Sequence, residues 1–237
     1  MRDGLFADLA TAAARRFKAH WRLKLALVII MNAVFWAAYL FLSRHALFPP
    51  HELPMTWLDQ GAGFHPRGWT WVYESAFLLG AIVPWLISTR QELRRYVVGF
   101  AILAGTSFVI FAFFPVASPR PVELQEYPAS LFIARLDGPL NAFPSLHAGF
   151  LVYNLSLTWR LFARGCPRIV MAGLFVWAAL ILFATLATKQ HYAVDLLAGG
   201  ALGWLADWLA WGNSAAAAGA MANASTRRKR DAASQAG

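Results

Sequence analysis

The chain has 237 residues, 59% of them hydrophobic and only 14% charged, with 11 Trp and 18 Phe. A water-soluble domain carries about a quarter charged residues, so this composition excludes one, and it excludes disorder over most of the length. A single cysteine excludes a disulfide framework and a multi-thiolate zinc site; the net charge of +9 lies between long apolar runs, as in membrane proteins, and not on one exposed face as nucleic-acid binding requires.

Residues 1–24 read as a basic segment on the cytoplasmic side. Leu5, Phe6, Leu9, Phe17 and Trp21 interleave with Arg15, Arg16 and Lys18, which fits an amphipathic helix on the inner membrane surface or an ordinary basic flank that sets topology. The segment does not read as a cleaved signal peptide, because the following apolar run is span-length and has no small-residue cleavage site after it. Six runs are then long enough to cross a hydrocarbon core, which takes about 20 helical residues: 25–43, 69–88, 96–114, 144–161, 169–187 and 193–211. The second carries Glu74 and a kink at Pro84, the third stops at Pro115, and the fourth is the least apolar. None shows the period-two alternation of a barrel strand. The expected fold is therefore all-α, an integral membrane bundle of six transmembrane helices over residues 25–213. Residues 214–237 are Ala-rich, contain a chance Asn223-Ala224-Ser225 sequon, end in Arg227-Arg228-Lys229-Arg230, and read as a disordered cytoplasmic tail.

With the N-terminus inside, the inner segments hold 16 Lys and Arg and the outer ones only Arg44, Arg67, Arg120, Arg135 and Lys189. That positive-inside bias places both termini in the cytoplasm. The compact chain without disulfides fits the cytoplasmic membrane of a bacterium.

Ionisable groups inside a membrane are costly and mark function by default. His147 lies one turn into the fourth span, within Phe143-Pro144-Ser145-Leu146-His147. His191 and Asp195 open the sixth, within Thr188-Lys189-Gln190-His191-Tyr192-Ala193-Val194-Asp195. An i, i+4 spacing on a helix would put that imidazole and carboxylate on one face, where the carboxylate fixes the tautomer and raises the basicity of the other nitrogen. Two His, one of them oriented by Asp, can supply a nucleophile and a general acid. Arg120 and Lys189 fall on the same outer side, and Ser145 stands at a helix start, where first-turn N–H groups favour an anion. Together these residues suggest a phosphate site at the outer, periplasmic face.

These two motifs resemble the type 2 phosphatidic acid phosphatase superfamily. The Thr188-Lys189-Gln190-His191-Tyr192 run, with Leu58-Asp59-Gln60 and Trp71-Val72-Tyr73, is similar to its inositolphosphotransferase-like branch, and the likeness covers roughly residues 58–203. The resemblance implies an enzyme that cleaves or transfers phosphate esters without a metal or other cofactor. By it, His191 attacks phosphorus to give a phosphohistidine, Asp195 orients it and His147 protonates the leaving group; Arg120, Ser145 and Lys189 hold the phosphoryl oxygens. The expected partners are a lipid phosphate substrate and membrane lipids, with no nucleic acid. The chain departs from the wider superfamily at Phe113, where a Lys is usual, at Leu146, where Gly is usual, and at Ala184 and Thr185, where a Ser-Arg pair is usual.

The leading expectation is a lipid phosphate phosphatase acting on a phosphomonoester or pyrophosphate, with transfer of an inositol-phosphate headgroup to a lipid acceptor as the alternative. A transporter or flippase would use the same His and Asp as a proton relay, but the ionisable residues gather at one face and no inverted repeat is visible. Two further alternatives are an inactive lipid-phosphate binder and a zinc site built from both His and Asp195; Asp195 is better placed as a partner to His191 than as a ligand. Elsewhere, Glu74 could line the pocket but reads rather as a structural carboxyl, Asp207 as snorkelling or pairing with an inner basic residue, and Gly199 and Gly203 as a helix-packing stripe. Trp57, Trp69, Trp71 and Trp211 read as interface anchors, while His45, His51, His65, Glu123 and Glu126 are weak candidates for headgroup contacts.

Overall fold

A computed structural model describes residues 2–163 and 165–212, with the backbone alone for 2–9. The proposed amphipathic role of Leu5, Phe6 and Leu9, the tail at 214–237 and Arg164 therefore lie outside the described side chains. The elements are α1 (Arg2–Lys18), α2 (Trp21–Leu42), α3 (Trp57–Gly61), α4 (Pro66–Glu74), α5 (Ala76–Ile82), α6 (Arg90–Phe113), α7 (Pro128–Leu136), α8 (Leu146–Phe162) and α9 (Arg168–Ala187), and α10 (Ala193–Gly212). Single 3₁₀ turns occupy Val83–Leu86 and Val122–Glu126. The described chain is all-helical, with no strand among the described residues.

Four helices, α2, α6, α9 and α10, are long and apolar enough to cross a membrane. The run at 69–88 is not one continuous helix but α4, α5 and the Val83–Leu86 turn in series. Its break at Ser75 is chemically closed: the Ser75 hydroxyl donates to the Val72 carbonyl at 2.6 Å and accepts the Trp177 indole N–H at 2.9 Å. Pro84 ends α5, because it has no N–H to continue an α-helix, and the chain goes on as the 3₁₀ turn. The run at 144–161 becomes α8, capped at Ser145, whose side chain accepts the Ala148 N–H. Residue 24 does not bound the first apolar helix, as its charge suggests; α2 starts at Trp21. Lys24 is buried inside it because its ammonium donates to the Arg16 and Trp85 carbonyls, both at 2.7 Å.

α8 is the centre of the bundle and packs against α5, α6 and α9. It also crosses α10 at backbone contact, since a Cβ on Gly199 would run into the Ser145 carbonyl and one on Gly203 into the Gly149 carbonyl. Both helices begin at the same end of the bundle. At the opposite end Arg160 holds Asp207 through Nε at 3.2 Å and Nη2 at 2.6 Å, the pairing expected for that carboxylate. Trp211 is buried there instead of anchoring an interface, with the Arg95 guanidinium over its ring.

The segments above the helix starts are tied by backbone pairing. Val116 bridges to His51 and to Asn141. Arg44 donates to the Arg135 and Leu136 carbonyls, closing the C-terminal end of α7 with a cation. These ties bring the loops after α6 and α7 over the starts of α8 and α10.

Candidate active site

His147 and His191 meet at the end where α8 and α10 begin, their ring centroids 5.7 Å apart. His191 is not on a helix: it sits in the turn between α9 and α10, after Lys189 with its positive φ of 53°. The i, i+4 helical pairing with Asp195 is therefore not formed in the expected way. The nearest partner of His191 Nδ1 is the Ala142 carbonyl at 2.8 Å, with Asp195 Oδ2 at 3.5 Å. A carbonyl can only accept, so Nδ1 carries the proton and Nε2 keeps a lone pair. Asp195 is fully buried; its Oδ2 accepts the Tyr192 N–H at 2.8 Å at the start of α10, while Oδ1 has no hydrogen-bond partner among the described residues. Its charge therefore acts on His191 mainly through space.

The turn that carries His191 is fixed residue by residue. Ala187 O accepts the His65 N–H at 2.8 Å, the Lys189 ammonium donates to the Asp59 carbonyl, and Gln190 Oε1 accepts Arg120 Nε–H at 2.9 Å. Asp59 Oδ1 accepts the Ala193 N–H at 2.7 Å, while its Oδ2 closes a capping box with Thr56 on α3. Burial pushes the Lys189 amine below its ordinary range, with the Asp59 carboxylate opposing that shift.

Arg120 reaches the site in the loop after α6. Its Nη1 donates to the Ala134 and Asp137 carbonyls at 3.0 and 2.8 Å, and its Nη2 lies 3.5 Å from Asp137 Oδ2. Nη2 thus has the loosest contact of the guanidinium nitrogens. Of the residues expected from the sequence, His147, His191, Asp195 and Arg120 converge directly or through one neighbour. Ser145 lies beneath them as a buried helix cap, and its N–H donates to the Asp195 carbonyl at 3.0 Å. Lys189 is joined to Asp59, with its ammonium committed to that carbonyl.

Three residues of this end escaped the sequence reading as site candidates. Asp137 accepts the Tyr39 hydroxyl at 2.5 Å on Oδ1 and the Tyr73 hydroxyl at 3.5 Å on Oδ2. Tyr73 in turn lies 3.1 Å from His147 Nδ1 and packs its ring over the imidazole, with centroids 4.2 Å apart. Nothing in the sequence separates Asp137 from Glu123 or Glu126, because its Asp137-Gly138-Pro139 context reads as a turn. The other ring nitrogen of His147, Nε2, is buried without a hydrogen-bond partner. Among the described residues, no three His, Cys, Asp or Glu side chains gather as metal ligands would.

From His147 an apolar cavity of about 530 Å³ runs to Lys24 between α2, α5, α6 and α8. Its walls include Phe35, Trp36, Phe77, Phe100 and Phe150, and Tyr39 and His147 close one end. Sites for small molecules have volumes of about 300–1,000 Å³, mostly apolar with a few converging polar groups.

Comparison with known families gives one match: the PAP2 superfamily, over residues 45–209. No curated protein and no solved structure matches the chain. The matched stretch begins just after α2, runs into the last turn of α10, and so contains every residue of the histidine cluster except Tyr39. Its apolar helices together with the family mark an integral membrane protein.

Proposed function

We propose a function from one premise: the chain belongs to the PAP2 superfamily, whose members are usually phosphatases. The protein is a membrane-embedded lipid phosphate phosphatase that works through a phosphohistidine on His191. The observation that carries this reading is a pair of neighbouring imidazoles, one of which, His147, stands at the end of a 530 Å³ apolar cavity. That arrangement suits an amphiphile whose chain lies in the cavity and whose phosphate lies across the two rings.

In the first step His191 Nε2 attacks phosphorus, the ester P–O bond breaks, and His147 gives its Nε2 proton to the departing oxygen. In the second step a water oxygen attacks phosphorus and passes its proton to His147 Nε2. The P–N bond breaks and phosphate leaves. Asp195 stabilises the positive charge that His191 acquires as phosphohistidine. Arg120 Nη2 and the N–H groups of Leu146 and His147, in the first turn after the Ser145 cap, hold the phosphoryl oxygens. Lys189 adds positive potential from beside the turn and contributes chiefly by fixing His191.

We place this end on the outer face, with both termini inside, from the distribution of Lys and Arg. In that frame α4–α5 and α8 complete six spans with the four long helices, residues 25–213 form one catalytic domain, and 1–24 and 214–237 flank it in the cytoplasm. The Thr188-Lys189-Gln190-His191-Tyr192 run favours a second reading, transfer of an inositol-phosphate headgroup, in which a lipid hydroxyl replaces water in the second step.

The test is phosphate release by the purified protein from a panel of lipid phosphates in EDTA, beside His191→Ala. Release that survives chelation and disappears in the variant supports the scheme. Loss of release in EDTA contradicts it. No release from any lipid phosphate, followed by product formation once a lipid alcohol is supplied with a headgroup donor, moves the assignment to transfer.

A further inference from the structure

We infer that Asp137 and Tyr73 are positioning residues for His147, forming a relay from the protonated Nδ1 through the Tyr73 hydroxyl to the Asp137 carboxylate. This inference rests on the reading of His147 as the general acid. Asp137 Oδ2 faces Arg120 Nη2 and the Tyr73 hydroxyl and accepts from both, so the Tyr73 hydroxyl spends its one hydrogen on Oδ2. Its oxygen is then left to accept, and the group facing it at 3.1 Å is His147 Nδ1. The proton of Nδ1 is thereby fixed, and Nε2 becomes the nitrogen that exchanges a proton with substrate. The same Nε2 is buried without any hydrogen-bond partner in the described structure.

The chemistry explains why the acid needs this support. A general acid must carry protons on both ring nitrogens before it acts and keep the one on Nδ1 afterwards. Among the described residues, no carboxylate is hydrogen-bonded to His147. Its immediate neighbours are Tyr73 and Phe77 from α4 and α5 and His191 from the turn before α10. Asp137 and Arg120 act from beyond Tyr73, and Glu74 flanks Tyr73 on its own helix. The relay places a negative charge one hydroxyl away, close enough to stabilise the imidazolium and too far to take its proton. Tyr39 pins the other carboxylate oxygen at 2.5 Å, which fixes the direction in which Asp137 points.

The experiment compares two esters, an alkyl phosphate with a long chain and an aryl phosphate with a nitrophenolate leaving group, on purified protein and on Tyr73→Phe, Asp137→Asn and His147→Ala. An alkoxide needs a proton to depart, whereas nitrophenolate does not. The relay predicts that Tyr73→Phe and Asp137→Asn lose about tenfold or more in kcat/KM on the alkyl ester and less than about threefold on the aryl ester, because kcat/KM reads the first step and not the water step that both esters share. KM should change little in Tyr73→Phe. The alkaline limb of its alkyl-ester profile should move to lower pH, because an unsupported imidazolium loses its proton sooner. Phe preserves the ring packed on His147, so the variant tests the hydroxyl and not the fold. Equal losses on both esters, or no loss on either, overturn the relay. If His147→Ala keeps full alkyl-ester activity, or if the unaltered protein cleaves neither ester, the phosphatase reading itself fails and takes the relay with it.

Discussion

The two ends of the α8–α10 pair both carry buried charge, but they treat it differently. Where the helices finish, Asp207 is held by three Arg160 contacts and the Lys24 ammonium by two carbonyls. Where they start, His147 Nε2 and Asp195 Oδ1 are buried without partners, and Asp195 stands 3.5 Å from the imidazole it was expected to grip. A satisfied buried ion pair is architecture. Buried polar atoms left unsatisfied need another explanation, and the proposed phosphate site supplies one. The comparison teaches that charge inside the membrane is a weak sign of function until its hydrogen bonds have been counted.

The sharpest way to break the contrast is at the nucleophile. His191→Ala should lower lipid-phosphate turnover by about 10³-fold or more, measured as phosphate release, because it removes the nitrogen that forms the P–N bond. Next comes Arg120→Lys, which keeps the charge but cannot meet Gln190, two carbonyls and a phosphate from one planar fork. It should cost about 100-fold in kcat/KM. At the opposite end, Arg160→Ala should leave specific activity unchanged below the melting range and lower stability, read by thermal unfolding in detergent. The expected loss is about 2 kcal/mol, below the usual range for a buried pair because the Arg160 side chain is 38% exposed. Activity lost at Arg160 without loss of stability would erase the distinction between the ends. A smaller effect is expected in the cavity wall. Gly80→Leu places a side chain where no neighbour stands within 4 Å, inside the cavity. It should raise KM about threefold for long-chain phosphates and leave short-chain ones unaffected. The least effect falls on pH dependence. The Lys189 amine is pushed below its ordinary range, so the unfolded chain binds that proton more tightly and stability rises as the pH climbs toward 10.5. Lys189→Met should flatten that rise in thermal unfolding.

The two histidines were legible as candidates because they stand in short motifs that need no folding to be seen, and the structure brings their rings to 5.7 Å. Asp207 could also be paired from its position alone, since basic residues flank that end of the neighbouring helices. Gly199 and Gly203 announced a close helix crossing, and the structure places backbone carbonyls of α8 against them. What the sequence hid was the second layer. Asp137 and Tyr73 lie 64 positions apart and meet only because Val116 pairs with Asn141 and Arg44 ties the end of α7. Sequence spacing also suggested a helical i, i+4 pair for His191 and Asp195. The positive φ of Lys189 turns the chain before α10 begins, so His191 finds the Ala142 carbonyl first. The run at 69–88 was apolar enough to read as one helix, and its division at Ser75 depends on a tryptophan 102 positions away.

The most direct test is to stop turnover of a ³²P-labelled lipid phosphate in alkali within the first cycle and map the labelled residue. The account predicts base-stable, acid-labile phosphate on His191, formed in EDTA and more abundant in His147→Ala than its turnover would suggest when the substrate has a good leaving group. Label on another residue, or turnover with no protein-bound phosphate at any time, would contradict it.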